Sequence, residues 1–159
     1  MKNGLKLISM FMIAILAFGM AGCVKASKAD VKELQQHKGE MLVIISQPQG
    51  PMPMTEEQYE AATNRMSLSY EGNAYIQNPV GHKGMKIPDE EYLKIYNFCV
   101  KAVSKNKFAN YKEDVDDGMT YTFTYYDTDG NEHVIYDGYC YNNKELQGII
   151  ELISKYQCD

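Results

Sequence analysis

Thiols, imidazoles and carboxylates are the side chains here whose spacing could support chemistry. Cys23 directly follows the small residues Ala21 and Gly22, whereas Cys99, Cys140 and Cys158 stand singly, without the C-x-x-C spacing of a metal knuckle or a thioredoxin-type redox pair. His37, His82 and His133 are equally scattered, and none falls in a pattern that puts two ligands on one helix face. Two acidic clusters, residues 113–118 and 127–132, raise calcium as a ligand. An EF-hand loop starting at Asp127 needs glycine at its sixth position and has Glu132 there instead. Asp and Asn beside Gly are also what tight turns require, and turn chemistry is the reading adopted. No G-x-S-x-G elbow and no phosphate-cradling glycine loop occurs. The residues therefore assign no catalytic group, cofactor or metal, and the expectation is a protein that is not an enzyme. Tyrosines remain: Tyr121, Tyr125, Tyr126, Tyr136, Tyr139 and Tyr141 crowd one stretch. Outward-facing Tyr126, Tyr139 and Tyr141 are the candidate recognition surface, and the alternative is a sheet whose inner face is simply aromatic.

The setting of Cys23 is more specific. Lys2 and Lys6 give a short basic start, residues 7–18 are apolar apart from Ser9, and residues 19–22 are mostly small, which together describe a secretory leader. Residues 7–22 fall short of the roughly 20 apolar residues that a permanent span needs. Met20-Ala21-Gly22-Cys23 resembles the lipobox of bacterial lipoproteins, with Met20 where that family most often has leucine. The resemblance implies a cleaved leader (residues 1–22), a diacylglyceryl thioether on Cys23 and a place on the extracytoplasmic face of a bacterial membrane. One short acyl chain binds bilayers only marginally, whereas each further buried methylene adds about 0.8 kcal/mol, so two or three chains hold durably.

Loss of the leader removes Lys2 and Lys6 and takes the formal charge from −5 to −7. A domain this acidic is repelled by anionic lipid head groups and by nucleic acid, and nucleic acid is set aside as a partner. Membrane attachment is then expected through lipid on Cys23 alone. Residues 23–29 read as a lipidated tether that lets the domain stand off the membrane, and residues 30–159 as one globular domain. With Cys23 acylated, three thiols are left, so at most one intramolecular disulfide forms. Cys140 and Cys158 flank a helix too long for them to approach, which makes Cys99 and Cys140 the candidate disulfide. The alternative is three reduced cysteines with Cys99 as a small core residue.

The elements that would position these groups follow from periodicity. A short helix over residues 30–37 turns Val31 and Leu34 inward. Residues 41–45 form a buried strand closed at Gln47-Pro48. Thr55 and Gln58 form a capping box for a helix to about residue 64. Residues 66–70 and 74–77 are strands around a turn at 71–73, and residues 78–86 are a loop. Residues 89–105 form the longest helix, acidic at its start and basic at its end, with Tyr92, Ile95, Tyr96, Cys99, Ala102 and Val103 on one face. Residues 119–127 and 133–140 make a hairpin around Asp129-Gly130, the first strand alternating aromatics with Thr120, Thr122 and Thr124. Asn142 with Glu145 then caps a last helix striped by Leu146, Ile149, Ile150 and Ile153.

The fold class is α+β, a small antiparallel sheet with helices packed on one face. Over residues 89–139 the helix followed by a tyrosine-rich hairpin resembles the PepSY-like domains of exported bacterial proteins. The function expected from these residues is a lipid-anchored, non-catalytic envelope domain that binds a protein, peptide or glycan. The alternatives are an envelope hydrolase with an unrecognised site and a lipoprotein that binds a small ligand or metal.

Overall fold

The computed structural model describes residues 26–28, 30–50, 53–77 and 84–156. The leader, Cys23, His82 and Cys158 lie outside the described residues. In chain order the elements are α1 (Val31–Leu34), β1 (Glu40–Gln49), α2 (Glu56–Ala62), β2 (Asn64–Ser69), β3 (Asn73–Gln77) and β4 (Gly84–Lys86). They continue with α3 (Asp89–Ser104), β5 (Gly118–Tyr126), β6 (Glu132–Gly138) and α4 (Lys144–Ser154). The strands form one antiparallel sheet in the order β4-β3-β2-β1-β5-β6. The class is α+β.

Alternation along the central strands decides which face is covered. Ile44 stands opposite Met66 and Phe123, and Leu42 opposite Leu68 and Tyr125. All six are buried and share one core with Val31 and Leu34 of α1, Tyr92, Ile95, Cys99 and Ala102 of α3, and Leu146, Ile149 and Ile153 of α4. Helices α1, α3 and α4 therefore cover this inner face. The outer face carries Val43, Ser67 and Thr124 in register, then Ile45, Thr122 and Asp137, with Val134 opposite Thr124 at the edge. Helix α2 does not cover it, because none of its residues is buried. It is held locally by the expected capping box, in which Thr55 Oγ1 accepts from the Gln58 N–H at 3.2 Å and Gln58 Oε1 from the Thr55 N–H at 2.9 Å.

Three boundaries differ from the sequence expectation, each for a local reason. Strand β1 runs on through Pro48, since beyond Ser46 it has β5 as its single neighbour and a missing N–H is tolerated at such an edge. The expected loop before α3 ends in β4, a three-residue edge strand with every residue exposed and hence no apolar pattern to announce it. The cap of α4 is Asn143, whose Oδ1 accepts from the N–H groups of Glu145 and Leu146 at 3.2 and 3.1 Å. The Asn142 N–H is instead bonded to Glu113.

The tyrosine cluster under α3 sets a test of the core. Tyr70 Oη donates to the Tyr126 carbonyl at 2.8 Å, and Tyr125 is buried in the same core beside the partly buried Tyr96. Burial pushes Tyr70 up to about 12 and raises Tyr125 further. Tyr92 is fully buried too, yet its hydroxyl has no hydrogen-bond partner among the described residues. A buried unsatisfied hydroxyl costs on the order of 1–3 kcal/mol. Tyr92→Phe is therefore predicted to be neutral or stabilising by up to ~1 kcal/mol in urea melts, and a loss above that would show that the hydroxyl has a partner.

Candidate functional site

Ala26 and Ser27, the described residues at the start of the stretch read as a tether, are hydrogen-bonded to the domain. Ala26 donates its N–H to Asn97 Oδ1 at 2.8 Å and accepts from Asn97 Nδ2 at 3.1 Å, a pair that copies the backbone ladder of a sheet. Ser27 continues the attachment, donating through its N–H and Oγ to Asp30 Oδ2 at 2.7 and 2.8 Å. Asn97 is two residues past core-facing Ile95, about 200° around the helix, so Ala26 lies on the side of α3 away from the sheet.

That side opens into a groove of about 680 Å³ between α3 and α4. Leu93, Val100 and Ile149 supply apolar lining, while Lys28, Lys94, Lys101 and Lys105 bring positive charge. Two acids line it as well. Glu90 lies 3.8 Å from Lys94, and Glu145 is paired with Lys107. Lys28, Lys101 and Lys105 make no ion pair among the described residues. In a chain whose net charge is negative this is a local reversal. Asn97 and the lysine stripe were missed in the sequence; spacings of four and three residues from Glu90 through Lys94, Asn97 and Lys101 were the available signal.

The three tyrosines of the candidate recognition surface do not form one patch. Tyr139 and Tyr141 stack, with ring centroids 6.1 Å apart and planes at 23°. Glu113 holds that corner, its carboxylate accepting from the Tyr141 and Asn142 N–H groups at 2.9 and 2.8 Å and from the Tyr111 hydroxyl. Partial burial raises the Glu113 carboxyl, and these bonds outweigh it and leave it below its ordinary value. The Tyr141 hydroxyl accepts from the Met119 N–H at 2.6 Å, so the ring rather than the hydroxyl is what Tyr141 offers outward. Tyr126 sits seven residues along β5 from Met119, roughly 23 Å away at 3.3 Å per residue.

Beside Tyr126 lies a second, polar cleft of about 570 Å³ that includes His37, Lys38, Glu40, Asp127 and Asp129. Asp127 Oδ2 is 2.9 Å from His133 Nε2, the orienting half of a catalytic triad. No serine, threonine or cysteine is hydrogen-bonded to His133 among the described residues. The remaining acceptor capacity of Asp127 is spent on the turn, receiving the N–H groups of Asp129 and Asn131 and the Asn131 side chain. Turn chemistry is thus what the cluster at 127–132 performs. Residues 113–117 serve, through Glu113, to clasp the start of α4.

The candidate disulfide is not formed. Cys99 and Cys140 are both free and fully buried, Cys99 in the inward stripe of α3 and Cys140 after β6, where Gln147 Nε2 donates to its carbonyl at 3.0 Å. Burial pushes the Cys140 thiol up to about 11 and that of Cys99 higher, so both stay protonated and poorly nucleophilic. Among the described residues no group of acidic, histidine or cysteine side chains is placed to hold a metal ion, and no helix is long and apolar enough to cross a membrane. The class these features define is an α+β domain with one helix-covered and one open sheet face. Beyond that class, no family model, curated protein or solved structure matches the chain.

Proposed function

We propose that the protein is a lipid-anchored, non-catalytic binding domain of the bacterial cell envelope, attached through Cys23 and presenting its open sheet face to a protein, peptide or glycan partner. The observation that carries the reading is the clamp of Asn97 on Ala26. Three residues span at most about 11 Å, so lipid on Cys23 lies on the helical side of the domain. The outer sheet face then points away from the bilayer, with Val134 exposed, Thr120, Thr122, Thr124 and Arg65 partly buried on it and the Tyr139–Tyr141 corner at one end. Polar β-branched and aromatic groups on a rigid sheet give contact area at small ordering cost.

The anchor is tested by feeding cells a clickable fatty acid and isolating the membrane fraction. The wild-type chain is expected to take up the label and Cys23→Ser to lose it entirely; label retained by Cys23→Ser would overturn the anchor. Partner binding is tested by cross-linking in the same membranes. A cross-linked species that disappears with Val134→Asp supports the open face, and one indifferent to changes on both the face and the tyrosine corner counts against it.

A further inference from the structure

We propose that the lysine-rimmed groove between α3 and α4 docks on the anionic headgroups of the bilayer that holds Cys23. The inference rests on the anchor reading and adds an orientation and a lipid class to it. Geometry comes first: Ala26 enters the groove itself, bonded to Asn97, so a chain tethered at Cys23 brings this surface to the membrane before any other. Three residues are too few to let the domain turn another face downward while that pair of hydrogen bonds holds.

Charge is complementary in the same place. Lys28, Lys101 and Lys105 have no ion-pair partner among the described residues, and Lys94 is only loosely matched to Glu90 at 3.8 Å. Two acids, Glu90 and Glu145, line the groove as well, but each is matched to a lysine, Lys94 and Lys107. At physiological ionic strength charges are screened over about 8 Å, so headgroups at the groove respond mainly to its own lining, where four lysines stand against two glutamates. The repulsion expected from net charge alone therefore does not apply to this face. The lysine stems and the apolar floor of Leu93 and Val100 suit the boundary between headgroup and acyl chain, where a long side chain keeps its stem dry and its ammonium wet.

The experiment uses the anchored full chain, reconstituted into vesicles in a Cys158→Ser background, with an environment-sensitive fluorophore at one of two introduced cysteines. Ser104→Cys lies seven residues from Asn97 on the same side of α3, and Val134→Cys lies on the outer sheet face. In vesicles of phosphatidylglycerol and phosphatidylcholine, one part to three, headgroup-attached quenchers are expected to reach the Ser104 position several-fold better than the Val134 position. Each lysine adjoining an anionic surface contributes roughly fivefold to docking. Changing Lys28, Lys101 and Lys105 together to Gln is expected to erase the contrast, as is phosphatidylcholine alone. Equal quenching at the two positions overturns the proposal, and so does a contrast that persists in phosphatidylcholine, which would mark an acyl chain or a second copy as the occupant. Failure of the anchor itself is read separately, as protein that does not float with the vesicles at all.

Discussion

Phe123→Ala is expected to destabilise the fold by about 3–5 kcal/mol, read as a drop in the urea midpoint with an unchanged slope. Phe123 is fully buried at the middle of β5, which lies between β1 and β6. It stands opposite Ile44 on one side and Tyr136 on the other, the latter ring 6.5 Å away at 62°. The neighbours cannot close over the space. Tyr136 is tied through its hydroxyl to the Tyr139 carbonyl, and the irregularity between Phe123 and Thr124 brings Ile135 into the core as well. The control is the preceding residue. Thr122 faces outward, partly buried, and loses one hydrogen bond to Asp137 of 2.9 Å on mutation to Ala, for a cost of about 0.5–1 kcal/mol. A pair of similar losses would mean that the strand does not present its aromatics and threonines to opposite faces.

That alternation was legible in the sequence because a period of two is a local signal, and so were the capping box of α2, the polarity of α3 and the stripe of α4. The elements that escaped notice lack local signals. Strand β4 has no apolar residue buried and exists because β3 offers it an edge. Asn97 and Ala26 are 71 residues apart, and nothing in either neighbourhood marks the pair. The tyrosines were correctly placed on one hairpin, but a hairpin has two ends. Tyr126 went to one end, and Tyr139 and Tyr141 to the other. Cys99 was correctly placed in the stripe of α3. Its thiol and that of Cys140 are both free, as in the alternative of reduced cysteines, and spacing along the chain does not encode which of the two states holds.

Asp127→Ala is expected to cost about 2–3 kcal/mol, more than its partial exposure alone would suggest, because one carboxylate serves the whole β5–β6 turn. Its backbone closes the turn from both sides, the N–H donating to the Asn131 carbonyl and the carbonyl accepting from the Gly130 N–H, each at 3.0 Å. Gly130 has φ +83°, so the chain reverses there with a left-handed residue that needs no Cβ. The carboxylate then accepts from Asp129, Asn131 and His133. Partial burial pushes its pKa up, but the bonds from His133 and Asn131, followed by that from Asp129, prevail and hold it at about 2 against an ordinary 3.8. The depressed value fixes the direction of the pH effect. Above pH 3.8 the group is ionised whether folded or not, and its contribution is complete. As pH falls below that value the unfolded chain takes up a proton that the folded chain resists, and the contribution is gone once pH drops below about 2. Solvent screening at a quarter-exposed side chain reduces the pH-dependent part to about 1–2 kcal/mol. Asp127→Asn separates charge from shape: an amide oxygen can still accept from the turn, so it is expected to lose about half as much as Ala while removing the acid-sensitive step. Stability measured by chemical denaturation from pH 6 to pH 2 reads both effects. A step in Asp127→Asn as large as in the wild-type chain would place the acid sensitivity at other carboxylates, Glu113 first among them.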